Sequence, residues 1–208
     1  STLFPYTTLF RSLREKERDM ELILASGSPR RRELLSLTGL PYVVDAPEVD
    51  ESCALPPEEA VQEISRRKGL AGAAAHPGCV VLSADTLVAV DGKALGKPHS
   101  EEEAFQMLSL LSGRWHQVYT GVCAVDAQGM VHQRVVGTQV HFCPMTEEEI
   151  RRYIATGEPM DKAGAYAVQG IAGLWIDRLE GSYSNVIGLP MHTVRELLDE
   201  CGLHCWRA

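Results

Sequence analysis

Apolar positions along this chain change period several times, and each change predicts an element. Leu22 to Ala25 is a short apolar run without alternation, the pattern of a buried strand, and Ser26-Gly27-Ser28-Pro29 ends it. Ser28 suits a helix N-cap, and Pro29 suits the first helical position, where a missing N–H is no loss. Leu34, Leu35 and Thr38 supply that helix with an inward face, and Gly39 predicts its C-cap before a strand at Tyr42 to Asp45. Pro47 to Pro57 reads as an irregular acidic loop, and Pro56-Pro57-Glu58-Glu59 opens a helix to about Ala74. On it Val61, Ile64 and Lys68 share one face at i, i+3 and i+7, so a lysine interrupts an apolar stripe.

Cys79 to Val90 is a long run rich in β-branched residues, with Asp85 near its middle. Asp91-Gly92 predicts a tight turn into a short return at Ala94 and Leu95. Ser100 to Glu103 matches a capping box, and Ala104, Phe105, Leu108 and Leu111 give the next helix its stripe, ended by Gly113. Trp115 to Val125 and Met130 to Phe142 predict an antiparallel hairpin around Gly129. Thr146 to Glu149 is a second capping box, opening a helix with Ile150, Tyr153 and Ile154 inward and Gly157 at its close. Glu158 to Gly164 is too polar and glycine-rich for a strand and leads into Tyr166 to Gly170. An apolar stretch from Leu174 to Leu179 and a turn at Gly181 precede a final helix from Met191 to Glu200. There is no internal repeat and no low-complexity tract.

Thr2 to Ser12 reads like the in-frame translation of a sequencing adapter, so residues 1–19 are expected to be a non-native, disordered leader, Met20 the start, and residues 20–208 a single domain. A hydrophobic content of 45% is ample for one core. A net charge of −8 argues against a broad nucleic-acid surface and confines any anion site to a local basic pocket. With no long apolar run and no signal pattern, a cytoplasmic location is expected. The six cysteines, at 53, 79, 123, 143, 201 and 205, are too scattered for a disulfide framework. Cys79, Cys123 and Cys143 read as small core residues. His116, His132 and His141 lack metal spacing and read as surface or structural.

Candidate chemistry begins at the first helix. Arg30, Arg31 and Arg32 fall in its first turn, where the macrodipole is already positive and cations are disfavoured. Unpaired N–H groups, a hydroxyl-rich loop and guanidinium forks there would suit a polyphosphate, although neither standard phosphate-loop pattern occurs; the alternative is a solvated basic turn whose arginines pair with surface carboxylates. Asp85 inside a buried strand demands a reason, either a local cap or bulge or a role as metal holder or base. Lys68 either snorkels to solvent or points into a site, and Lys97 is a further candidate for phosphate contact.

The motifs S-G-S-P-R-R at Ser26 to Arg31, A-D-T at Ala84 to Thr86, G-K-P at Gly96 to Pro98, D-K-A-G at Asp161 to Gly164 and V-Q-G at Val168 to Gly170 together resemble the Maf-type nucleotide pyrophosphatases. That resemblance runs in order from about Met20 to Leu203. It implies an α/β fold, an elongated mixed β-sheet flanked by helices and related to inosine triphosphate pyrophosphatases. The implied activity is hydrolysis of a nucleoside triphosphate to monophosphate and pyrophosphate with a divalent cation (Mg²⁺ or Mn²⁺), as house-cleaning of unwanted nucleotides, and the implied assembly is a homodimer. Asp85 matches the catalytic acid/base, as base or metal holder. Ser26, Arg31, Glu51, Lys68 and Lys97 match the triphosphate and metal site. Arg30, Thr86 and Gln169 match the positions that separate subfamilies, and they place the chain with the dTTP and UTP pyrophosphatases. The 7-methyl-GTP branch has tryptophan, glutamine and glutamate there. The alternatives are that branch or a nucleotide-binding regulator of cell division with little turnover. Asn185 is assigned no role, and Arg32 is taken as tolerant.

Overall fold

A computed structural model describes residues 21–206. The expected leader and the start at Met20 lie outside the described residues. Strand β1 (Leu22–Leu24) runs parallel to β2 (Tyr42–Val44) on one side and to β3 (Val80–Val90) on the other. Beyond β3 the sheet turns antiparallel through β5 (Trp115–Val125), β6 (Val131–Phe142) and β7 (Ile176–Glu180), while β4 (Lys93–Leu95) folds back on the end of β3. The path is therefore β2-β1-β3-β5-β6-β7, a mixed α/β sheet flanked by helices, as expected.

Strand alternation distributes the core. Leu22 and Leu24 pack on one face with Leu34 and Leu35 of α1 (Pro29–Ser36) and with Val194, Leu197 and Leu198 of the last helix (Met191–Glu200). Ile23, Ala25 and Val81 point to the opposite face, which is covered by α2 (Pro57–Ala75). A second cluster fills the far end of the sheet, where α3 (Glu101–Leu111) and α4 (Glu147–Ala155) meet Val88, Val118, Val140 and Phe142. Cys123 and Cys201 are buried, whereas Cys79 and Cys143 are half-buried, so two of the three expected core cysteines stand at its margin. All six cysteines are free.

Helix α2 sits unusually close to the sheet because three glycines allow it. A Cβ at Gly69 would come 2.9 Å from Cys123 Sγ, one at Gly72 would come 2.8 Å from Val81 Cγ1, and one at Gly121 of β5 would come 2.2 Å from the Val61 carbonyl oxygen. Real Cβ contacts are never that short, so the interface exists only without those methyl groups.

Local signals were realised with some differences. Thr146 and Glu149 form the full reciprocal capping box. At α3 only half of one forms, because Ser100 Oγ accepts from Glu103 N–H but the Glu103 carboxylate accepts from the His99 N–H instead. Ser28 occupies the N-cap of α1, yet its side chain makes no capping bond. Residues 158–175, read as loop and apolar stretch, contain three short 3₁₀ segments, Glu158–Asp161, Ala163–Ala165 and Ile171–Trp175. A short helix, α5 (Tyr183–Ile187), precedes α6 (Met191–Glu200) where only a turn was expected.

The histidines divide by burial. His132 and His141 lie within hydrogen-bond distance of the carboxylates of Asp126, Glu200 and Asp177, but His116 is buried, 2.7 Å from the Tyr166 hydroxyl, with edge contacts to Phe142 and Tyr166. Burial pushes its pKa down from 6.5 to about 4. A base whose folded pKa is depressed contributes its full stability above the unfolded value and loses it as pH falls from 6.5 toward 4. Linkage puts that loss at roughly 2 kcal/mol by pH 5. Urea unfolding at pH 7.5 and pH 5 should therefore show a larger acid loss in the wild type than in His116→Gln, and equal losses in the two proteins would contradict this reading.

Candidate active site

The parallel part of the sheet ends early, and that opens the site. β1 accompanies β3 only along Val80 to Leu82, and β4 covers it only from Val88 to Val90. Among the described residues no strand pairs with 83–87 on that side, so this length of β3 has an open edge. Side chains alternate across a strand, but at an open edge both faces can be reached from one cleft. Asp85 and Thr86 consequently line the same cavity from opposite faces of the sheet. The cavity is about 860 Å³ and is lined by Ser26, Arg30, Arg31, Glu51, Lys68, Asp85, Thr86, Lys97 and Gln169. All nine residues singled out in the sequence are brought together.

On the α2 face, Lys68 Nζ lies 2.8 Å from Asp85 Oδ1 and 2.9 Å from Glu51 Oε1. The lysine that breaks the apolar stripe points inward. Two carboxylates converge on one ammonium, one from a buried strand and one from the acidic loop. Burial raises the Asp85 pKa above its ordinary value, opposed chiefly by the neighbouring Lys68 charge and then by Arg31.

On the other face, Arg31 is held at three points. Its Nε donates to the Gly188 carbonyl at 2.8 Å, Nη1 to Ser26 Oγ at 3.1 Å and Nη2 to Thr86 Oγ1 at 3.1 Å. A guanidinium has five N–H donors, so two remain for a ligand. Burial lowers the Arg31 pKa, with Asp85 opposing, and arginine keeps its charge throughout. Behind Thr86 stands a relay: Thr86 Oγ1 is 2.9 Å from Thr120 Oγ1, which donates to the Asn185 carbonyl at 3.2 Å. Asn185 is fully buried, and its amide donates to the Val118 carbonyl and to Thr138 Oγ1. Sequence reasoning passed over Thr120, Gly188 and Asn185. Polar neighbours such as Gln117, Ser182 and Ser184 hide Thr120 and Asn185 in the sequence, and no local pattern marks them.

The side chains of Arg30, Lys97 and Gln169 line the cleft with no hydrogen bond or ion pair to another described residue. Gln169 is exposed at the rim. The loop behind it is tied down, since the Glu158 carboxylate accepts from the Tyr153 hydroxyl at 2.7 Å and from the Ile171 N–H at 3.1 Å. Lys162 of the D-K-A-G segment also lines the cleft and pairs with Asp161. Arg32 is exposed and outside the cleft.

Fold and cleft together define a mixed α/β protein with arginine and hydroxyl groups on one face of an open strand edge and two carboxylates meeting a lysine on the other. The family model described as Maf-like protein matches residues 21–201, and the chain belongs to that family. It is 50% identical over 186 residues to a dTTP/UTP pyrophosphatase of Symbiobacterium thermophilum, covering 88% of this chain and 94% of that protein. It is 47% identical over 192 residues to a dTTP/UTP pyrophosphatase of Moorella thermoacetica, covering 89% and 97%. Among solved structures, a HAM1 protein from Coxiella burnetii aligns over 87% of this chain and 99% of that one, at 14% identity and a TM-score of 0.48. Among the described residues no helix is long and apolar enough to cross a membrane.

Proposed function

We propose that this protein hydrolyses dTTP and UTP to the monophosphate and pyrophosphate. The observation that carries the reading is the convergence of Arg31, Lys68, Glu51 and Asp85 on one cleft, and the names of its half-identical relatives support it. The α1 N-terminus, Ser26, Arg30, Arg31 and Lys97 receive the triphosphate, whose charge offsets the arginines crowded into a positive helix end. The oxygen of water bonds to the α-phosphorus, and the bridging oxygen departs with pyrophosphate. Asp85 accepts the proton that the water gives up. Phosphoryl transfer relies mainly on positioning and on neutralising oxygens, which is the inventory present.

The donor set fits a divalent cation of the magnesium kind. Among the described residues no cluster of three or more His, Cys, Asp or Glu forms an all-protein cage, while Mg²⁺ is commonly bound by one or two carboxylates together with substrate phosphates. Glu51 and Asp85 would hold it, since the single ammonium of Lys68 offsets only one of their two negative charges. When bound, it lowers the pKa of water and neutralises phosphate oxygens. Gln169, neutral and both donor and acceptor, suits the edge of an uncharged pyrimidine better than a cationic methylated purine.

Incubation with UTP or dTTP and Mg²⁺ or Mn²⁺ should release pyrophosphate stoichiometrically with monophosphate, and chelator should abolish it. Release of orthophosphate alone would overturn the reaction assigned. In a substrate panel, kcat/KM for UTP or dTTP should exceed that for 7-methyl-GTP, and the reverse order would favour the modified-purine branch.

A further inference from the structure

The segment carrying Glu51 has no regular structure between β2 and α2, yet its carboxylate meets Lys68 at 2.9 Å. One side chain outside the cleft accounts for that. Arg67 Nη1 donates to the Asp50 carbonyl at 3.0 Å and to the Ser52 carbonyl at 2.9 Å, the two peptide oxygens that flank Glu51. Its Nε donates to Glu63 Oε1 at 2.9 Å, one turn back on α2, so the guanidinium is itself braced. The Asp50 carboxylate accepts from the Ser52 N–H at 2.9 Å and closes the turn locally. Arg67 and Lys68 are consecutive on α2. One grips the backbone on both sides of Glu51 while the other meets its carboxylate.

We propose that Arg67 is a positioning residue for the divalent-cation site, pinning the acidic loop so that Glu51 stands opposite Asp85. This rests on the reading of Glu51 as a metal ligand. The physical reason is entropic. An irregular loop released from its pin regains backbone freedom, and ordering it again would weaken metal binding. Arg67 does not line the cleft, so its loss should leave the chemical step intact once the site is filled.

The test is Mn²⁺ binding to the full chain, followed by electron paramagnetic resonance in the presence of a non-hydrolysable α,β-methylene UTP, alongside the Mn²⁺ dependence of turnover. Arg67→Gln should weaken Mn²⁺ about tenfold, the scale seen when groups supporting a metal ligand are lost, with kcat at saturating Mn²⁺ within about twofold of wild type. Arg67→Lys, which keeps the charge but not the fork, should fall between the two. Glu51→Gln should weaken Mn²⁺ at least as much as Arg67→Gln. If Glu51→Gln weakens Mn²⁺ and Arg67→Gln does not, the positioning role is overturned while the metal reading stands. A loss of kcat in Arg67→Gln that excess Mn²⁺ does not restore overturns it as well. Unchanged Mn²⁺ affinity in Glu51→Gln would remove the metal reading itself, and this proposal with it.

Discussion

Replacing Asp85 with asparagine should lower kcat by about a thousandfold, within the range for loss of a positioned acid–base group, while nucleotide binding stays within a few-fold of wild type. The substitution is nearly isosteric. Its amide oxygen can still accept from Lys68 Nζ, which lies 2.8 Å from Asp85 Oδ1, and Lys68 keeps its contact with Glu51. The groups on the opposite sheet face that are proposed to receive the triphosphate, Arg31 with Ser26 and Thr86, are not bonded to Asp85. What disappears is a carboxylate able to take a proton or to hold a cation. Single-turnover hydrolysis of UTP, with calorimetry of α,β-methylene UTP binding, separates the two effects. Turnover within tenfold of wild type would remove Asp85 from the chemistry. Tight binding with negligible turnover in both proteins would instead support a nucleotide-sensing regulator.

Gly121→Ala should destabilise the fold by about 3 kcal/mol or more, at the upper end for overpacking because the clash is with backbone rather than with a yielding side chain. The new Cβ would lie 2.2 Å from the Val61 carbonyl oxygen and 2.5 Å from its carbon, so α2 must lift away from the sheet. In a domain of this size that corresponds to a fall in melting temperature of roughly 10 °C. Activity should fall with it, since Gly121 is the cross-strand partner of Asp85 and α2 carries Lys68. Urea unfolding with and without UTP would read both effects. A loss below about 1 kcal/mol would mean that the interface can relax, against the close approach described here.

Much of the fold was legible because its determinants are local. The period of Val61, Ile64 and Lys68 placed a lysine on the buried face of α2, and the structure gives it two carboxylates to meet. Asp91-Gly92 made the predicted turn, with both residues at positive φ, as a two-residue hairpin of that kind requires. The capping box at Thr146 formed as written. The box at Ser100 half-failed because a neighbouring N–H, that of His99, was within reach of the same carboxylate. The 3₁₀ turns after Gly157 were missed because such short segments carry no period to detect.

By itself, then, the order of residues determined the elements, the buried acid, the basic turn and the membership of one family, since each is carried by neighbours in sequence or by motifs in series. Only the tertiary structure decided that β1 and β4 stop short of each other along β3, so that Asp85 and Thr86 serve one cleft from two faces. It also decided that Arg31 is aimed by Gly188, 157 residues away, and that Thr120 and Asn185 stand behind Thr86. Strand register and the approach of a helix to within contact of bare backbone depend on pairings between distant segments, and no local pattern of side chains encodes where those pairings end.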